Sequence, residues 1–264
     1  MTADPKGLLV MKKTLLWCIA VVVSSSSCVS VLQVKKDKLS AVKKVAIVGY
    51  TGVVALEGDK PKTGLAATIG AIKGNADLMS GKLDARRVEQ AQAGYAELSK
   101  RLATGLGVAV ADPTELGRSQ TVSGLLARSP NSGLMMAGLQ RLPNVLRPEL
   151  VKSAKPGVRQ AIAADLGVDA IAAVNIRYEV GSTGGFAVAG MGKTTTYPRA
   201  VIDFTVYDAT GAEVWHDQYA RGETAKEGLA TTMGAEIVAN ESQVLGEALS
   251  SGYDALMTRY ETAK

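Results

Sequence analysis

The sequence predicts an α/β fold in which helices pack on a single mixed β-sheet and the chain closes with a helix. Three observations predict it. β-branched runs, such as residues 42–50, are separated by segments with a helical period, such as residues 84–106. Residues 201–219 have the alternation and the central turn of a β-hairpin. Apolar residues recur at helical spacing over residues 243–260.

The first 27 residues have the composition of a secretory signal peptide. Lys12 and Lys13 precede an apolar run from Leu15 to Val23, and small residues follow it. The run is too short to span a bilayer, because a transmembrane helix needs about 20 apolar residues. We therefore expect residues 1–27 to be removed.

Cys28 follows a run of serines and resembles the cysteine at which bacterial lipoproteins are cut and acylated. Such sites usually carry Leu three residues before the cysteine, whereas Ser25 stands there in this chain. We expect lipid modification of Cys28, with residues 28–41 as a polar and basic tether. The alternative is an unmodified thiol in a disordered tail. Cys18, the other cysteine, lies within the signal, so we expect neither an intramolecular disulfide nor a cysteine cluster for a metal.

The charge of the chain argues against nucleic acid as a partner. The formal net charge is +5 over 264 residues, and it falls further once the signal peptide is removed. Such a small and dispersed charge does not form the concentrated basic surface that nucleic-acid binding needs. We expect no nucleic-acid partner.

A domain is predicted over residues 42–264, and its first half alternates strand and helix. Val42–Tyr50 is a β-branched run closed by glycine, which is typical of a strand. Residues 51–83 are glycine-rich and are predicted as an insertion that is mostly loop. Residues 84–106 follow a helical period. Residues 108–111 are predicted as a short second strand.

The second half begins with another insertion, residues 114–156, in which prolines separate short helices. A helix at 158–166 is predicted to end at Gly167, before a strand at 170–180. That strand alternates, which predicts opposite faces for its apolar and polar residues: Val174, Ile176, Tyr178 and Val180 against Asn175, Arg177 and Glu179.

The last predicted elements are a hairpin and the terminal helix. Strands at 200–207 and 213–220 are joined by Asp208-Ala209-Thr210-Gly211, a turn sequence with glycine where a positive φ is needed. Residues 221–242 are polar and are predicted as helix or loop. The terminal helix is predicted at 243–260.

The stretch from Gly190 to Thr196 (GMGKTTT) has several letters of a phosphate-binding loop. Such a loop needs a helix directly after it, because the loop amides and the helix amino terminus bind the phosphate. Here Ala187 occupies the position of the earlier glycine, and the residues after Lys193 lead through Pro198 into another strand. We interpret the stretch as the tip or arm of a hairpin between two strands and predict no nucleotide site.

No spacing of residues indicates catalysis or metal binding. His216 is the single histidine, and it lies beside Trp215 on a predicted strand, where a structural histidine is more common than a catalytic base. Without a second histidine or a paired cysteine, no triad and no metal cage is indicated. We predict a non-enzymatic protein with no catalytic, cofactor-binding or metal-binding residues.

Two segments and the order of the elements resemble a group of bacterial periplasmic domains. Residues 164–170 (ADLGVDA) look like that group's helix-to-strand junction, and residues 206–215 (VYDATGAEVW) are similar to its hairpin. The group comprises the α/β domain of the curli secretion lipoprotein CsgG, the amino-terminal domain of TolB and the lipoprotein LpoB. The resemblance implies the same fold, and binding or assembly at the outer membrane by adaptors, activators or secretion pores.

CsgG-like channels carry a membrane-inserting hairpin at the position of residues 181–198. They carry a second hairpin before the final helix, whereas residues 221–242 lack alternation here, so the channel is the alternative interpretation. Phe186, Met191 and Lys193 are the expected partner-contact residues, since an apolar, glycine-rich arm often forms a contact surface. The other interpretation is that the arm folds back on its own domain.

The sequence thus predicts a lipid-anchored, non-enzymatic protein on the periplasmic side of the bacterial outer membrane, acting as a binding or assembly platform or as an activator. The expected partners are the membrane, through the lipid at Cys28, and an envelope protein; a homo-oligomer is also compatible with the sequence. No cofactor is expected. The alternative function is a component of a CsgG-like oligomeric secretion channel.

Overall fold

A mixed β-sheet forms the centre of the fold in the computed structural model, which describes residues 31–57, 82–128, 139–140, 142, 144–188, 191–232, 235–236 and 241–263. Six strands follow one another in the order β1-β7-β6-β5-β2-β3. β2 is parallel to β3 and β5, and the other pairings are antiparallel. The predicted α/β fold with a single mixed sheet is confirmed. The strands are β1 (Leu32–Val34), β2 (Lys44–Glu57), β3 (Ala109–Val110), β4 (Leu139–Gln140), β5 (Ala170–Val188), β6 (Met191–Asp208), β7 (Glu213–Arg221), β8 (Leu229–Thr232) and β9 (Ala235–Glu236).

Helices pack on both faces of this sheet, and the two longest, α2 and α7, pack on the same face and against each other. The helical stripe predicted for residues 84–106 is buried at Tyr95, Leu98 and Leu102. The terminal helix is also confirmed. The helices are α1 (Lys36–Leu39), α2 (Lys82–Leu106), α3 (Pro113–Leu116), α4 (Gln120–Arg128), α5 (Pro148–Ser153), α6 (Pro156–Leu166) and α7 (Glu241–Thr262).

A buried tyrosine network joins α2 and α7 to β2. The hydroxyl oxygens of Tyr50 and Tyr253 lie 3.1 Å apart, and Tyr253 donates to the backbone carbonyl of Gly94 at 3.0 Å. Tyr95 donates to the carbonyl of Ile47 on β2. Burial raises the pKa of the Tyr50 and Tyr253 phenols. Both phenols therefore stay neutral, and these hydrogen bonds satisfy polar groups that would be costly to bury unpaired.

The opposite face of the sheet is covered in part by α5. A side chain at Gly49 would meet Val151 and Pro148 of this helix at 3.0 and 3.1 Å, so the helix packs closely over this position. Gly49 is adjacent to Tyr50, and adjacent residues of a strand face opposite sides. The sheet therefore lies between α5 on one side and the pair of α2 and α7 on the other.

The domain begins before the predicted boundary at Val42. Residues 32–39 were expected in the tether, but they form β1 and α1. β1 pairs with β7, and α1 buries Leu39. The lysines that follow β1 gave the segment the composition of a tail, although charged residues are also typical of strands at the edge of a sheet.

Strand β2 is longer than predicted. It continues past Tyr50 to Glu57 and pairs with β5 beyond this point. The first seven residues of the predicted insertion at 51–83 are therefore part of the sheet, and residues 58–81 lie outside the described residues. The glycine content of this segment predicted a loop, but β-branched residues follow Gly52 and the strand continues.

The polar segment 221–242 contains two short strands. β8 pairs with β6, and β9 pairs with β8, so the prediction that no second hairpin occurs here is wrong. Thr231 and Thr232 are β-branched and suit a strand. Their pairing is supplied by β6, which the segment's own sequence does not show.

Two aspartates explain the structural role of the ADLGVDA junction. The Asp169 carboxylate accepts hydrogen bonds from the backbone N–H groups of Lys43 and Lys44 at 2.9 Å each, which ties the start of β5 to the start of β2. These bonds lower the pKa of Asp169. Asp165 in turn accepts a backbone hydrogen bond from Thr121, at the start of α4. Both side chains hold the fold together, and neither is free for chemistry.

We expect Gly94→Ala to destabilise the protein. The added methyl group would lie 2.5 Å from the Tyr50 hydroxyl oxygen and 2.8 Å from Leu249 Cδ2, and Tyr50 cannot withdraw without breaking its bond to Tyr253. Overpacking costs about 1–3 kcal/mol. Alanine gains roughly 1 kcal/mol over glycine within a helix, so over most of its range the overpacking cost outweighs this gain.

Gly246→Ala is the matched control on α7, because its added methyl group would meet nothing within 4 Å. Urea unfolding should show a lower free energy of unfolding for the first variant and an equal or higher one for the second. An equal increase in the free energy of unfolding in both variants would contradict the packing described around Tyr50.

Candidate functional site

A four-stranded ribbon extends from the sheet past the end of β2. Pairing of β2 with β5 ends at Glu179, whereas β5 and β6 continue to pair as far as Val188 and Met191. β8 pairs with β6 in this region, and β9 pairs with β8. We define the ribbon as residues 180–188 and 191–198 together with β8 and β9.

The predicted contact residues Phe186, Met191 and Lys193 all lie in the ribbon. Phe186 is directly opposite Lys193, and Met191 is opposite Val188. Opposed positions share a face, as do positions two apart along a strand, so the three occupy one face at the far end of the ribbon. Residues 191–196 of the GMGKTTT stretch lie in β6 and pair with β5, which confirms the predicted arm of a hairpin, whereas Gly190 lies outside the described residues. Cys28 lies outside the described residues.

Lys193 and His216 both lie in strands, and neither has the surroundings that a phosphate-binding lysine or a catalytic histidine needs. Lys193 is within β6, and the next described helix is α7, after three further strands. A P-loop requires a helix amino terminus at that point, so this geometry is inconsistent with one. His216 lies on β7, and its Nδ1 is 3.3 Å from a carboxylate oxygen of Glu213, a local pairing that suits a structural histidine.

A second candidate surface lies on the same side of the sheet as α5. Burial confirms the alternation predicted for β5, with Val174, Ile176 and Tyr178 buried toward α2 and α7. The polar residues between them point to the other side, where β6, β7 and α5 contribute further polar groups. We call this surface the polar face; it comprises Lys152, Asn175, Arg177, Glu179, Arg199, Asp203, Gln218, Tyr219 and Arg221.

The carboxylates of the polar face are compensated within it. A Glu179 carboxylate oxygen lies 3.3 Å from the Arg199 guanidinium and 3.0 Å from that of Arg221. Asp203 Oδ1 lies 2.6 Å from the ammonium of Lys152, close enough for an ion pair although the two are not aligned as a hydrogen bond. Neither carboxylate therefore presents an uncompensated negative charge.

A β-bulge in β7 places Tyr219 on the polar face. After Asp217, β7 has one residue more than β6 opposite it, which reverses the alternation of side chains. The N–H of Tyr219 donates to Asp217 Oδ1 at 3.1 Å. As a result Tyr219 is 37% exposed, and the guanidinium of Arg177 lies 4.9 Å from the centre of its ring.

Asp217 itself is held by the terminal helix. Its side chain is fully buried, and Arg259 of α7 contacts both carboxylate oxygens, Nε to Oδ2 at 2.7 Å and Nη2 to Oδ1 at 3.0 Å. Such two-point contacts fix direction as well as distance. The ion pair therefore links α7 to the bulge that positions Tyr219.

An open depression of about 110 Å³ lies beside Tyr219 on the polar face. It is lined by Asn175, Arg177, Asp203, Gln218 and Tyr219, which bring together two amides, a guanidinium, a carboxylate and an aromatic ring. Sequence analysis placed Asn175 and Arg177 on a polar strand face but missed this site. The missing signal was the bulge, because strict alternation places Tyr219 on the same side as Asp217.

Two features of other site classes are not found in the part of the chain that the structure describes. No helix there has both the length and the apolar character needed to cross a bilayer. No group of three or more His, Cys, Asp or Glu side chains there is arranged to hold a metal ion.

The solved structures that match the chain include one from Chlamydia trachomatis and one from Neisseria meningitidis. No protein-family model and no curated protein matches the chain. The hypothetical protein CT253 from Chlamydia trachomatis has 13% identity and a TM-score of 0.27, over 84% of this chain and 96% of that one. The lipoprotein GNA1162 from Neisseria meningitidis has 9% identity and a TM-score of 0.22, over 84% of this chain and all of that one. At these values neither structure assigns a family or a function to the chain.

We expect Arg259→Met to destabilise the protein strongly, because it leaves the buried charge of Asp217 without compensation. Breaking a buried pair costs about 3–5 kcal/mol, and the lower end applies because the Arg259 side chain is 28% exposed. The double variant Asp217→Asn, Arg259→Met is the control, since it removes the stranded charge and should recover part of the loss. Equal unfolding free energies for wild type and Arg259→Met in urea would contradict this role.

Proposed function

We propose that this chain is a non-enzymatic lipoprotein of the bacterial envelope, anchored through acyl groups at Cys28 on the periplasmic side of the outer membrane. The amino-terminal sequence supports the anchor, since a basic start, a short apolar run and small residues precede the cysteine. Stable anchoring needs more than one acyl chain or a second attachment. We further propose that the domain from β1 to α7 serves as a platform for a protein partner or an assembly.

The ribbon is the observation that carries the platform proposal. β5 runs nine residues beyond its last pairing with β2, from Val180 to Val188. Among the described residues, no strand pairs with this part of β5 on the side away from β6. A strand edge with unpaired N–H and C=O groups accepts a strand from another chain. The ribbon therefore suits strand addition, with Phe186, Met191 and Lys193 as the side chains proposed to select the partner.

Two local arrangements support a non-enzymatic protein. Lys193 lies within a strand, away from any helix amino terminus that would bind a phosphate with it. His216 is paired with Glu213 on its own strand. Both residues therefore have structural surroundings, and the proposed function requires no chemistry from either.

A second candidate function, a component of an oligomeric secretion channel, is favoured by β8 and β9. These strands add a short second hairpin beside the ribbon, at the position where the resemblance to CsgG implies one. Against it, a membrane strand needs about 9–11 residues, whereas β8 has four and β9 has two. We therefore keep the platform as the principal proposal.

Site-specific photo-crosslinking in intact cells tests the role of the ribbon. A photoreactive phenylalanine analogue is placed at position 186 or 191, and at position 246 on the exposed side of α7 as the control. We expect one discrete adduct with another envelope protein from the ribbon positions and none from position 246. With the analogue placed at position 193 instead, Phe186→Ser combined with Met191→Ser should abolish the adduct.

The size of the adduct distinguishes the two candidate functions. An adduct that contains a different protein supports the platform, whereas a ladder made only of this chain supports the oligomeric channel. Identical labelling from positions 186, 191 and 246 would overturn a specific role for the ribbon.

A further inference from the structure

We propose that the depression on the polar face binds the carboxylate of an aspartate or glutamate side chain from an acidic segment of a partner protein, with Arg177 as the cation that receives it. The inference goes beyond the proposed function. The depression lies on the body of the sheet, between β5, β6 and β7, and its argument is independent of what binds the ribbon.

The polar face carries more cations than carboxylates. Lys152, Arg199 and Arg221 are occupied by Asp203 and Glu179, which leaves the cations in excess. Among the described side chains, no carboxylate forms an ion pair with Arg177. The face is therefore complementary to a partner that brings negative charge, and the charge is most available at Arg177.

Arg177 is held in place before any ligand arrives. Its guanidinium lies 4.9 Å from the centre of the Tyr219 ring, and stacking of this kind leaves the N–H groups at the guanidinium edge free to donate. Tyr219 is positioned by its backbone bond to Asp217, which Arg259 holds. A cation that is already ordered loses less entropy when it binds.

The size and lining of the depression suit a carboxylate side chain. Its volume of about 110 Å³ corresponds to roughly four water molecules, enough for a carboxylate with one or two methylene groups and too small for a nucleotide. Asn175 and Gln218 add amide donors at its wall. Asp203 also lines it, and its negative charge is compensated by Lys152.

An acidic side chain fits this position better than a chain terminus does. The depression interrupts a sheet face that continues along β5 and β6 toward the ribbon, so an extended partner segment can run along the face and insert one side chain laterally. Arg177 can then bind the carboxylate with two parallel N–H···O bonds. Tyr219 covers the methylene groups.

Fluorescence anisotropy with the full mature chain in detergent micelles tests the proposal. The probe is a labelled octapeptide of alternating glutamate and serine with its carboxyl terminus amidated. We expect binding to the wild type, at least about tenfold weaker binding to Arg177→Gln, and unchanged binding to the control Arg118→Gln, an exposed arginine beyond α3. Arg177→Lys should be intermediate, because lysine keeps the charge but loses the two-point geometry.

Matched probes identify the occupant. A peptide with glutamine in place of glutamate should not bind. Binding of that neutral peptide only when its terminal carboxylate is free would overturn the side-chain assignment, as would an Arg177-dependent affinity for anionic lipid vesicles that exceeds the affinity for the acidic peptide. Equal affinities of the wild type and Arg177→Gln would also overturn it.

Two further measurements keep the result interpretable. On the wild type, the acidic peptide should slow modification of Arg177 by phenylglyoxal, measured by mass spectrometry, so the conclusion does not depend on one variant folding. Phe186→Ser with Met191→Ser should bind the peptide as the wild type does. Absence of any ribbon adduct in otherwise wild-type protein, together with retained peptide binding, would contradict the proposed function and leave the carboxylate site in the depression standing.

Discussion

The buried ion pair between Asp217 and Arg259 connects the terminal helix on one face of the sheet with the bulge that positions Tyr219 on the other face. A carboxylate inside a protein needs compensation, because burial without it is costly. Here the compensation comes from the terminal helix. One carboxylate oxygen also fixes the bulge of β7 by accepting from the N–H of Tyr219. The packing of α7 on one face of the sheet thereby determines which side chain stands on the other face.

The sheet has two faces of different polarity. Toward α2 and α7 it is apolar, and the tyrosine network around Tyr50 and Tyr253 satisfies the polar groups that remain. On the other side α5 covers only part of the strands, which leaves the polar face with its ion pairs and Arg177. Beyond the end of β2 the ribbon adds a strand edge. A platform that binds proteins can use both, the edge for main-chain pairing and the face for charge.

Much of the fold could be predicted because its strongest signals are local. The helical period of residues 84–106, the turn at Asp208 and the alternation of β5 each act over a few residues, and each predicted the right element. The errors concern elements whose pairing is supplied from elsewhere. β1 is followed by lysines and pairs with β7, and β8 follows a polar segment and pairs with β6.

The candidate site could be predicted only in part, because it also depends on contacts between distant parts of the chain. Alternation placed Arg177 on a polar face, but the bulge that brings Tyr219 beside it depends on Asp217 and on a helix some forty residues later in the chain. The hairpin placement of residues 191–196 was predicted correctly because the residues after Lys193 continue into a strand rather than a helix. The contact role of Phe186, Met191 and Lys193 stays a prediction, since register places these residues on one face without showing what they touch.

The lipid anchor at Cys28 is tested by the intact mass and membrane fractionation of the mature protein beside a Cys28→Ser variant. We expect a wild-type chain that begins at Cys28, carries the added mass of acyl groups and sediments with outer membranes, and a variant that loses both properties. An unmodified wild-type chain that fractionates away from membranes would contradict the anchored platform.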